Sequence, residues 1–293
     1  MSIMNHKTTT IALIGLIIFF LIIVYAFLYG PLLPFSPIQP GFSKETLSRC
    51  DILWSNDSCI PEEYYAIDSL IAETEKFHHL TYAKRITIVL CSTAKQHKRF
   101  SMSGGHANTA LTGTVIYVNP SIYNALYPPI IQLNKSDIFF TKGRGNIKRD
   151  IPSFLKHELS HALLYQNTTF AKARKIKSWL EEGLAVYFGN PHHYYRGDEF
   201  KQLAIDRGYF FDLFDNQKDA YFVPPEIKFY FKYGAYGAFM EYLVDSKGMD
   251  AVLNFTHEYI KSPHKESQLF QYYFNTTMDS ALEGFRKSLE NQQ

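Results

Sequence analysis

Residues 154–164 read FLKHELSHALL and place two histidines four positions apart, with a glutamate directly after the first. In an α-helix, residues four apart lie one turn above each other on the same face, so His157 and His161 can bind one metal ion together. The sequence also carries helix-start signals, because Asp150 is a suitable N-cap and Pro152 falls in the first turn, where its missing N–H costs little. It therefore predicts a helix that presents two metal ligands.

A third ligand is expected on a neighbouring element, because a catalytic zinc takes three protein ligands and leaves its fourth position to water. A motif as short as H-E-x-x-H also arises by chance, so it needs this support. The segment SWLEEGLAVYF, residues 178–188, supplies it. It contains adjacent carboxylates, Glu181 and Glu182, which point about 100° apart around a helix axis.

HELSH followed by WLEEGLAVY resembles the gluzincin metallopeptidases, a family of peptidase-MA-like enzymes. In that family a second helix supplies a glutamate as the third zinc ligand, commonly within W-L-x-E-G-x-A. Glu182 is the residue that matches this glutamate, and Glu181 is the alternative. The resemblance implies one Zn²⁺ ion bound by His157, His161 and Glu182.

A second stretch, YGAYGAFMEYLVDSKG at 233–248, is similar to a downstream helix of peptidase-MA-like domains. Tyr233 matches a tyrosine that is often present in that helix. The resemblance covers about residues 80–260, closely at the two zinc helices and weakly elsewhere. It implies a zincin-like α+β fold and hydrolysis of peptide bonds.

Zinc chemistry accounts for each residue type in this set. Neutral imidazole nitrogens and a carboxylate suit Zn²⁺, which lowers the pKa of bound water towards about 7. Glu158, next to His157, cannot easily bind the same ion, but it can accept a proton as that water attacks a peptide carbonyl. The resulting oxyanion also needs a donor, for which the hydroxyl of Tyr233 is the first candidate and that of Tyr236 the second. The expected substrate is a peptide or protein.

Two departures from better-known branches limit what the resemblance implies about substrates. Aminopeptidases of the superfamily hold the substrate's amino group with a glutamate in a glycine-rich edge segment. Residues 104–108 here read GGHAN, with Ala107 near the matching place, and the thermolysin pattern of N-E followed by S-D is absent from the sequence. Either GGHAN or TVIYVNP, residues 114–120, is expected to line the cleft and pair with an extended peptide. The alternative function is a catalytically inactive binding module with the same fold.

The N-terminus contains an apolar run long enough to cross a bilayer. Residues 11–29 carry no charge, and about 19 residues at about 1.5 Å rise each span the hydrocarbon layer. The run exceeds a usual signal-peptide core and no small-x-small cleavage site follows it, which favours a retained anchor. Lys7 precedes the run and Lys44 is the first charge after it, so the weak positive-inside signal leaves residues 1–10 in the cytoplasm and the rest of the chain outside.

Beyond the anchor the sequence predicts a tether and one catalytic domain. Residues 30–45 are rich in proline and are assigned to the tether, and residues 46–293 are assigned to the zincin-like domain. Apolar periodicity predicts strands at 86–91 and 114–120, with a loop or irregular edge between them. It also predicts helices at 61–79, 151–166, 178–189, 227–247, 249–261 and 277–290. The expected class is α+β, with a small N-terminal sheet, an active-site helix and a helical C-terminal part.

Composition and cysteine usage agree with a folded protein outside the cytoplasm. Hydrophobic residues make up 46% of the chain and charged residues 20%, and the formal net charge is only +2, so no nucleic-acid partner is indicated. The spacing of Cys50 and Cys59 is compatible with a small disulfide loop in an oxidising compartment. Cys91 falls in an apolar run and is expected to be a buried strand residue.

Overall fold

A computed structural model describes residues 3–124, 131–133, 138–140, 150–189, 213–214 and 225–290. A long helix, α1 (Ile3–Tyr29), precedes a mixed α+β arrangement. The strands are β1 (Phe42–Thr46), β2 (Cys50–Ser55), β3 (Ile86–Leu90), β4 (Ala107–Thr109), β5 (Val115–Val118), β6 (Ile131–Leu133) and β7 (Ile138–Phe140). The later helices are α2 (Ile67–His78), α3 (Ala94–Ser101), α4 (Ser121–Asn124), α5 (Ile151–Gln166), α6 (Phe170–Ala173), α7 (Ser178–Gly189), α8 (Pro225–Lys247), α9 (Met249–Lys261), α10 (Glu266–Phe274) and α11 (Met278–Glu290).

Helix α1 is one apolar helix that includes the predicted membrane segment. Its stretch Thr9–Tyr29 is long and apolar enough to cross a bilayer, and none of its most apolar window is buried inside the molecule. It therefore meets the length and hydropathy requirements of a membrane span.

Five strands form one sheet in the order β1-β2-β3-β5-β4. Strands β2, β3 and β5 are parallel, whereas β1 and β4 run antiparallel to their neighbours at the two edges. The predicted strands at 86–91 and 114–120 are confirmed as β3 and β5. Because β5 lies between β3 and β4, its backbone is already paired on both sides. TVIYVNP therefore cannot accept a peptide strand, whereas β4, at the end of GGHAN, is an edge strand of the sheet that the described residues form.

Helices α2 and α5 cover one face of this sheet. Their apolar side chains meet those of β2, β3 and β5 in one cluster, which includes Leu70, Ile88, Ile116, Leu155 and Leu159. Side chains alternate between the two faces of a strand, so the neighbouring residues Leu53, Val89 and Tyr117 point to the opposite face.

The opposite face is covered by α3 and by the segment that follows α1, which lies within the predicted tether. Leu33–Phe35 form a 3-10 helix, and Leu33 is buried against the sheet and α3. The hydroxyl of Tyr117 donates a hydrogen bond of 2.9 Å to the carbonyl of Pro31. Strand β1 also begins at Phe42, inside the predicted tether. Part of the predicted tether, residues 30–45, therefore packs on the sheet, because a buried apolar side chain and a proline turn are enough to dock it.

The three cysteines are free, so the Cys50–Cys59 disulfide is not formed. Cys50 begins β2 and is buried in the core, whereas Cys59 is exposed beyond the end of that strand. The polar stretch that suggested a disulfide loop is thus largely a β-strand. Cys91 is buried directly after β3, as expected, and burial raises the pKa of its thiol to about 12.

The helical second half has its own aromatic core. The predicted helices 151–166 and 178–189 are confirmed with these bounds as α5 and α7. Side chains of α7 pack in a cluster with those of α8, α9, α10 and α11. The centre of this cluster is formed by Trp179, Phe239 and Phe255. Aromatic residues make up 16% of the chain, and this cluster contains many of them and packs α7 against its neighbours.

Candidate metal centre

Helix α5 carries the two histidines and is capped as the sequence predicts. The carboxylate of Asp150 accepts a hydrogen bond from the backbone N–H of Ser153, and proline lies in the first turn. The helix packs between the sheet and α7, so its polar residues are almost enclosed. His157, Glu158 and His161 are only 6–7% exposed.

Three ligand atoms from α5 and α7 converge at one point. The Nε2 atoms of His157 and His161 are 3.2 Å apart, and each lies 3.3 Å from Oε2 of Glu182. A tetrahedral ion with ligand distances of about 2.0–2.1 Å requires ligand atoms about 3.3–3.4 Å apart. The observed triangle meets this requirement, so the group could hold a metal ion.

Two glycines allow α7 to approach α5 and α8 closely enough to form this triangle. A Cβ at Gly189 would lie 2.6 Å from the carbonyl oxygen of Ser153 and 2.7 Å from the backbone nitrogen of His157. On the other side of α7, a Cβ at Gly183 would lie 3.1 Å from the carbonyl oxygen of Tyr236. Contacts with fixed backbone atoms cannot be relieved by a rotamer change, so the position of α7 depends on glycine at 189.

The charges at the site are arranged as a cation would require. Burial lowers the pKa of His161, but the Glu182 carboxylate outweighs this effect and raises that pKa to about 9. Burial acts to raise the pKa of Glu182, yet the two imidazoles hold it well below its usual range. Oε2 of Glu182 is buried and, among the described residues, has no hydrogen-bond partner of good geometry, although it lies 3.3 Å from both imidazoles. A cation between the three atoms would satisfy it.

Tyr233, on α8, contacts the same carboxylate from the other side. Its hydroxyl donates a hydrogen bond of 3.1 Å to Oε1 of Glu182, and its ring stacks on that of His157. Tyr236 is fully buried in the aromatic core, where burial raises the pKa of its hydroxyl. Of the two tyrosines considered for the oxyanion, Tyr233 is therefore the one whose hydroxyl contacts the metal-binding group.

Glu158, the expected base, is held by a residue that sequence reasoning missed. The hydroxyl of Thr109 lies 2.7 Å from Oε2 of Glu158 and 3.0 Å from its carbonyl oxygen. A hydroxyl has one proton, so it donates to one of these acceptors at a time. Thr109 ends the edge strand β4, two residues after Ala107, and only the pairing of β4 with β5 brings it to α5. Residues 104–110, GGHANTA, show no regular apolar-polar alternation, so the sequence carries no signal for this contact.

Glu181, the alternative third ligand, lies outside the group. Its Oε2 accepts a hydrogen bond of 2.9 Å from the hydroxyl of Tyr165, and burial raises the pKa of this carboxyl. The ring of Tyr165 in turn stacks on that of His161. Adjacent carboxylates on one helix thus have different partners, as their angular separation on α7 predicts.

The fold and the site define a mixed α+β protein with a buried group of two histidines and one glutamate that could hold a metal ion. No family model matches the chain, and no curated protein matches it either. The functional argument therefore rests on the geometry of the described residues and on the resemblance of the two motifs.

Proposed function

We propose that the chain is a membrane-anchored zinc metallopeptidase of gluzincin type, which hydrolyses peptide bonds. The observation that carries this proposal is the triangle of two imidazole nitrogens and one carboxylate oxygen, with edges of 3.2–3.3 Å. Two nitrogen ligands and one oxygen ligand suit zinc, and three protein ligands leave the open position of a catalytic rather than a structural site.

Zinc in this position would supply Lewis-acid activation of water and of a substrate carbonyl. The chain itself supplies the proton acceptor: Glu158 takes the proton of the attacking water and later delivers it to the leaving amine. Thr109 fixes the direction of the Glu158 carboxylate through its 2.7 Å hydrogen bond. Tyr233 orients Glu182 through its 3.1 Å hydrogen bond, and its hydroxyl is the candidate donor to the oxyanion once its single proton turns from Glu182.

Substrate binding is proposed along β4. An extended peptide can add to the open edge of a sheet through main-chain hydrogen bonds. Because β4 ends at Thr109, which contacts Glu158, a peptide paired with β4 would pass beside the base. Ala107 at the start of the strand offers no carboxylate for a free amino group, so removal of N-terminal residues is not supported.

The same proposal places α1 in the membrane and the domain outside the cytoplasm. In the part of the chain that the structure describes, one helix, over Thr9–Tyr29, is long and apolar enough to span a bilayer. Lys7 lies before this stretch, and the charge preference for the cytoplasmic side then leaves residues 1–10 inside.

One observation favours the alternative function, an inactive gluzincin-fold binding module. Histidines that bind a metal nearly always donate their second ring N–H to a carboxylate, carbonyl or water. The Nδ1 atoms of His157 and His161 are buried and have no hydrogen-bond partner in the described part of the chain. A site without this support binds metal less tightly and orients it less firmly.

Substitution of Glu158 by glutamine separates the two functions. The full chain is purified in nanodiscs, its metal content is measured, and cleavage of a mixed peptide library is followed with and without a chelator. Glu158→Gln is expected to lower kcat/KM by about 10²–10⁴-fold, the usual contribution of a general base, while the metal content stays that of the wild type. Glu181→Gln, which changes the neighbouring carboxylate bonded to Tyr165, serves as the matched control.

One outcome would reject the peptidase, and another would reject Glu158 as its base. Wild-type protein that contains metal but cleaves no peptide would favour the binding module. Glu158→Gln protein that cleaves as fast as the wild type would show that another group is the base.

A further inference from the structure

The segment after α1 holds the sheet close to the end of the membrane span. Tyr29 ends α1, and only Gly30 separates it from Pro31, whose carbonyl is bonded to Tyr117 of β5. Leu33 is 1% exposed and packs in the same cluster as Phe100 of α3. The sheet face that carries α3 therefore lies within a few residues of the point where α1 ends.

Large apolar side chains are exposed around this junction. Phe35 is 50% exposed and Ile38 is 65% exposed, between Leu33 and Phe42, which both pack against the cluster around Phe100. The described part of the chain has other exposed apolar side chains, but these two lie six and nine residues after Tyr29, which ends α1. Apolar side chains exposed next to a bilayer can be buried in its headgroup and acyl boundary instead of facing water.

Met102 adds an apolar group on the same side. It follows α3 in a left-handed conformation, with φ of 58°, and its side chain is 80% exposed. Glycine or asparagine adopts this conformation at lower cost. The contacts of the fold do not account for a methionine here, whereas insertion into a lipid surface does.

Helix α3 supplies the matching charge. Its inner face is formed by the buried His97 and Phe100, and its exposed residues include Lys95, Lys98 and Arg99, with no acidic residue in the helix. A row of basic side chains beside exposed apolar groups is the pattern of segments that lie on anionic membranes.

We propose that this face of the domain lies on the headgroup layer of the membrane that α1 spans, with anionic lipid as its partner. The proposal rests on the membrane anchor proposed above and does not depend on the peptidase reaction. We define the membrane-facing surface by six residues, Phe35, Ile38, Lys95, Lys98, Arg99 and Met102.

The membrane-facing surface sets the direction in which the metal centre faces. The membrane-facing surface and α5 cover opposite faces of the sheet. With α3 on the bilayer, the metal-binding group lies on the side of the sheet away from lipid, so the orientation of the domain would select substrates that reach out from the membrane or are free in solution.

The test is a depth measurement on the full chain in nanodiscs that contain anionic lipid. Cys59 is replaced by serine, since it is exposed, whereas Cys50 and Cys91 are buried. A fluorescent label is attached at Met102→Cys or, as the control, at Tyr272→Cys, because Tyr272 is 78% exposed on α10. A quencher carried on lipid headgroups should quench the label at position 102 several-fold more than the label at 272. Equal quenching at the two positions would overturn the proposal.

Charge reversal tests the choice of anionic lipid. Lys95→Glu combined with Lys98→Glu should reduce quenching at position 102 in anionic nanodiscs and leave it unchanged in zwitterionic ones. The matched control, Lys261→Glu with Lys265→Glu, reverses two exposed charges of the helical half and should change neither value. Unaltered quenching in the first variant would reject anionic headgroups as the partner.

Alkaline extraction of the same membranes separates failure of the anchor from failure of the surface. Release of the full chain would show that α1 does not span, which overturns the anchor and the surface together. Retention of the chain with a weakly quenched label at 102 would leave the anchor intact and reject the surface alone. Peptidase activity is measured separately and affects neither conclusion.

Discussion

The two faces of the five-stranded sheet are covered in different ways. One face packs against α2 and α5, two helices of 12 and 16 residues, and carries the metal-binding group on its far side. The other is covered by the eight-residue helix α3 and by a short segment anchored through Leu33. The first arrangement positions the group that could hold a metal ion, and the second joins the sheet to the end of α1. This division predicts that a substitution on one face leaves the role of the other face unchanged.

The largest effect is expected for substitution of Glu182, the proposed third ligand, which lies on α7 and faces α5. Glu182→Gln retains the shape of the side chain but removes the charge that balances a buried cation, so the metal content of the purified protein should fall from about one ion per chain to near zero. The control Glu181→Gln changes the next residue, which bonds to Tyr165, and should keep its metal. Elemental analysis after desalting measures both. Full metal content in Glu182→Gln would remove Glu182 from the ligand set.

The sequence predicted the α5 side well because its signals are local. The Asp150 cap, the following proline and the apolar periodicity lie within a single helix, and the bounds of α5 and α7 follow from such signals. The choice of Glu182 over Glu181 came from the motif resemblance, and helix geometry explains why only one of them meets the histidines.

The α3 side was predicted poorly because its contacts are long-range. Leu33 and Tyr117 are far apart in sequence, and a proline-rich segment looks like a linker until its partner is known. Strand β1 was missed because its residues are mostly polar. Strand β2 was missed because it lies within the polar stretch between Cys50 and Cys59. Thr109 was missed for a related reason, since a three-residue strand in a glycine-rich stretch has too short a pattern to detect.

The second prediction concerns the docked segment. Leu33→Ala removes a fully buried side chain and should lower the free energy of unfolding by about 2–5 kcal/mol. Leu32→Ala, at a neighbouring position that is 37% exposed, is the control and should have a much smaller effect. Thermal unfolding in nanodiscs measures both, and folded Leu33→Ala protein should still contain its metal. Equal stability of the two variants would mean that the segment is a free tether after all.

The third prediction concerns Gly189, where α7 closely approaches the backbone of α5. Gly189→Ala places a methyl group against backbone atoms of Ser153 and His157 and forces α7 away from α5. The expected cost is about 1–3 kcal/mol, as for other overpacked sites, together with weaker metal binding. Gly104→Ala is the control, because a Cβ at Gly104 has nothing within 4 Å. Undiminished metal affinity in Gly189→Ala would show that the triangle tolerates a shift of α7.

The smallest effect tests the hydrogen bond that joins the segment to the sheet. Tyr117→Phe keeps the ring in its cluster but leaves the carbonyl of Pro31 without its 2.9 Å donor, and should cost about 0.5–1.5 kcal/mol. For a domain of this size, each 1 kcal/mol corresponds to a change of roughly 2–4 °C in Tm. Tyr272→Phe removes a hydroxyl from a side chain that is 78% exposed and should leave Tm unchanged. Since Tyr117 lies on the face opposite α5, the variant should bind metal as the wild type does. A loss of metal alongside the small fall in Tm would show that the two faces are coupled through β5, and the division proposed above would then fail.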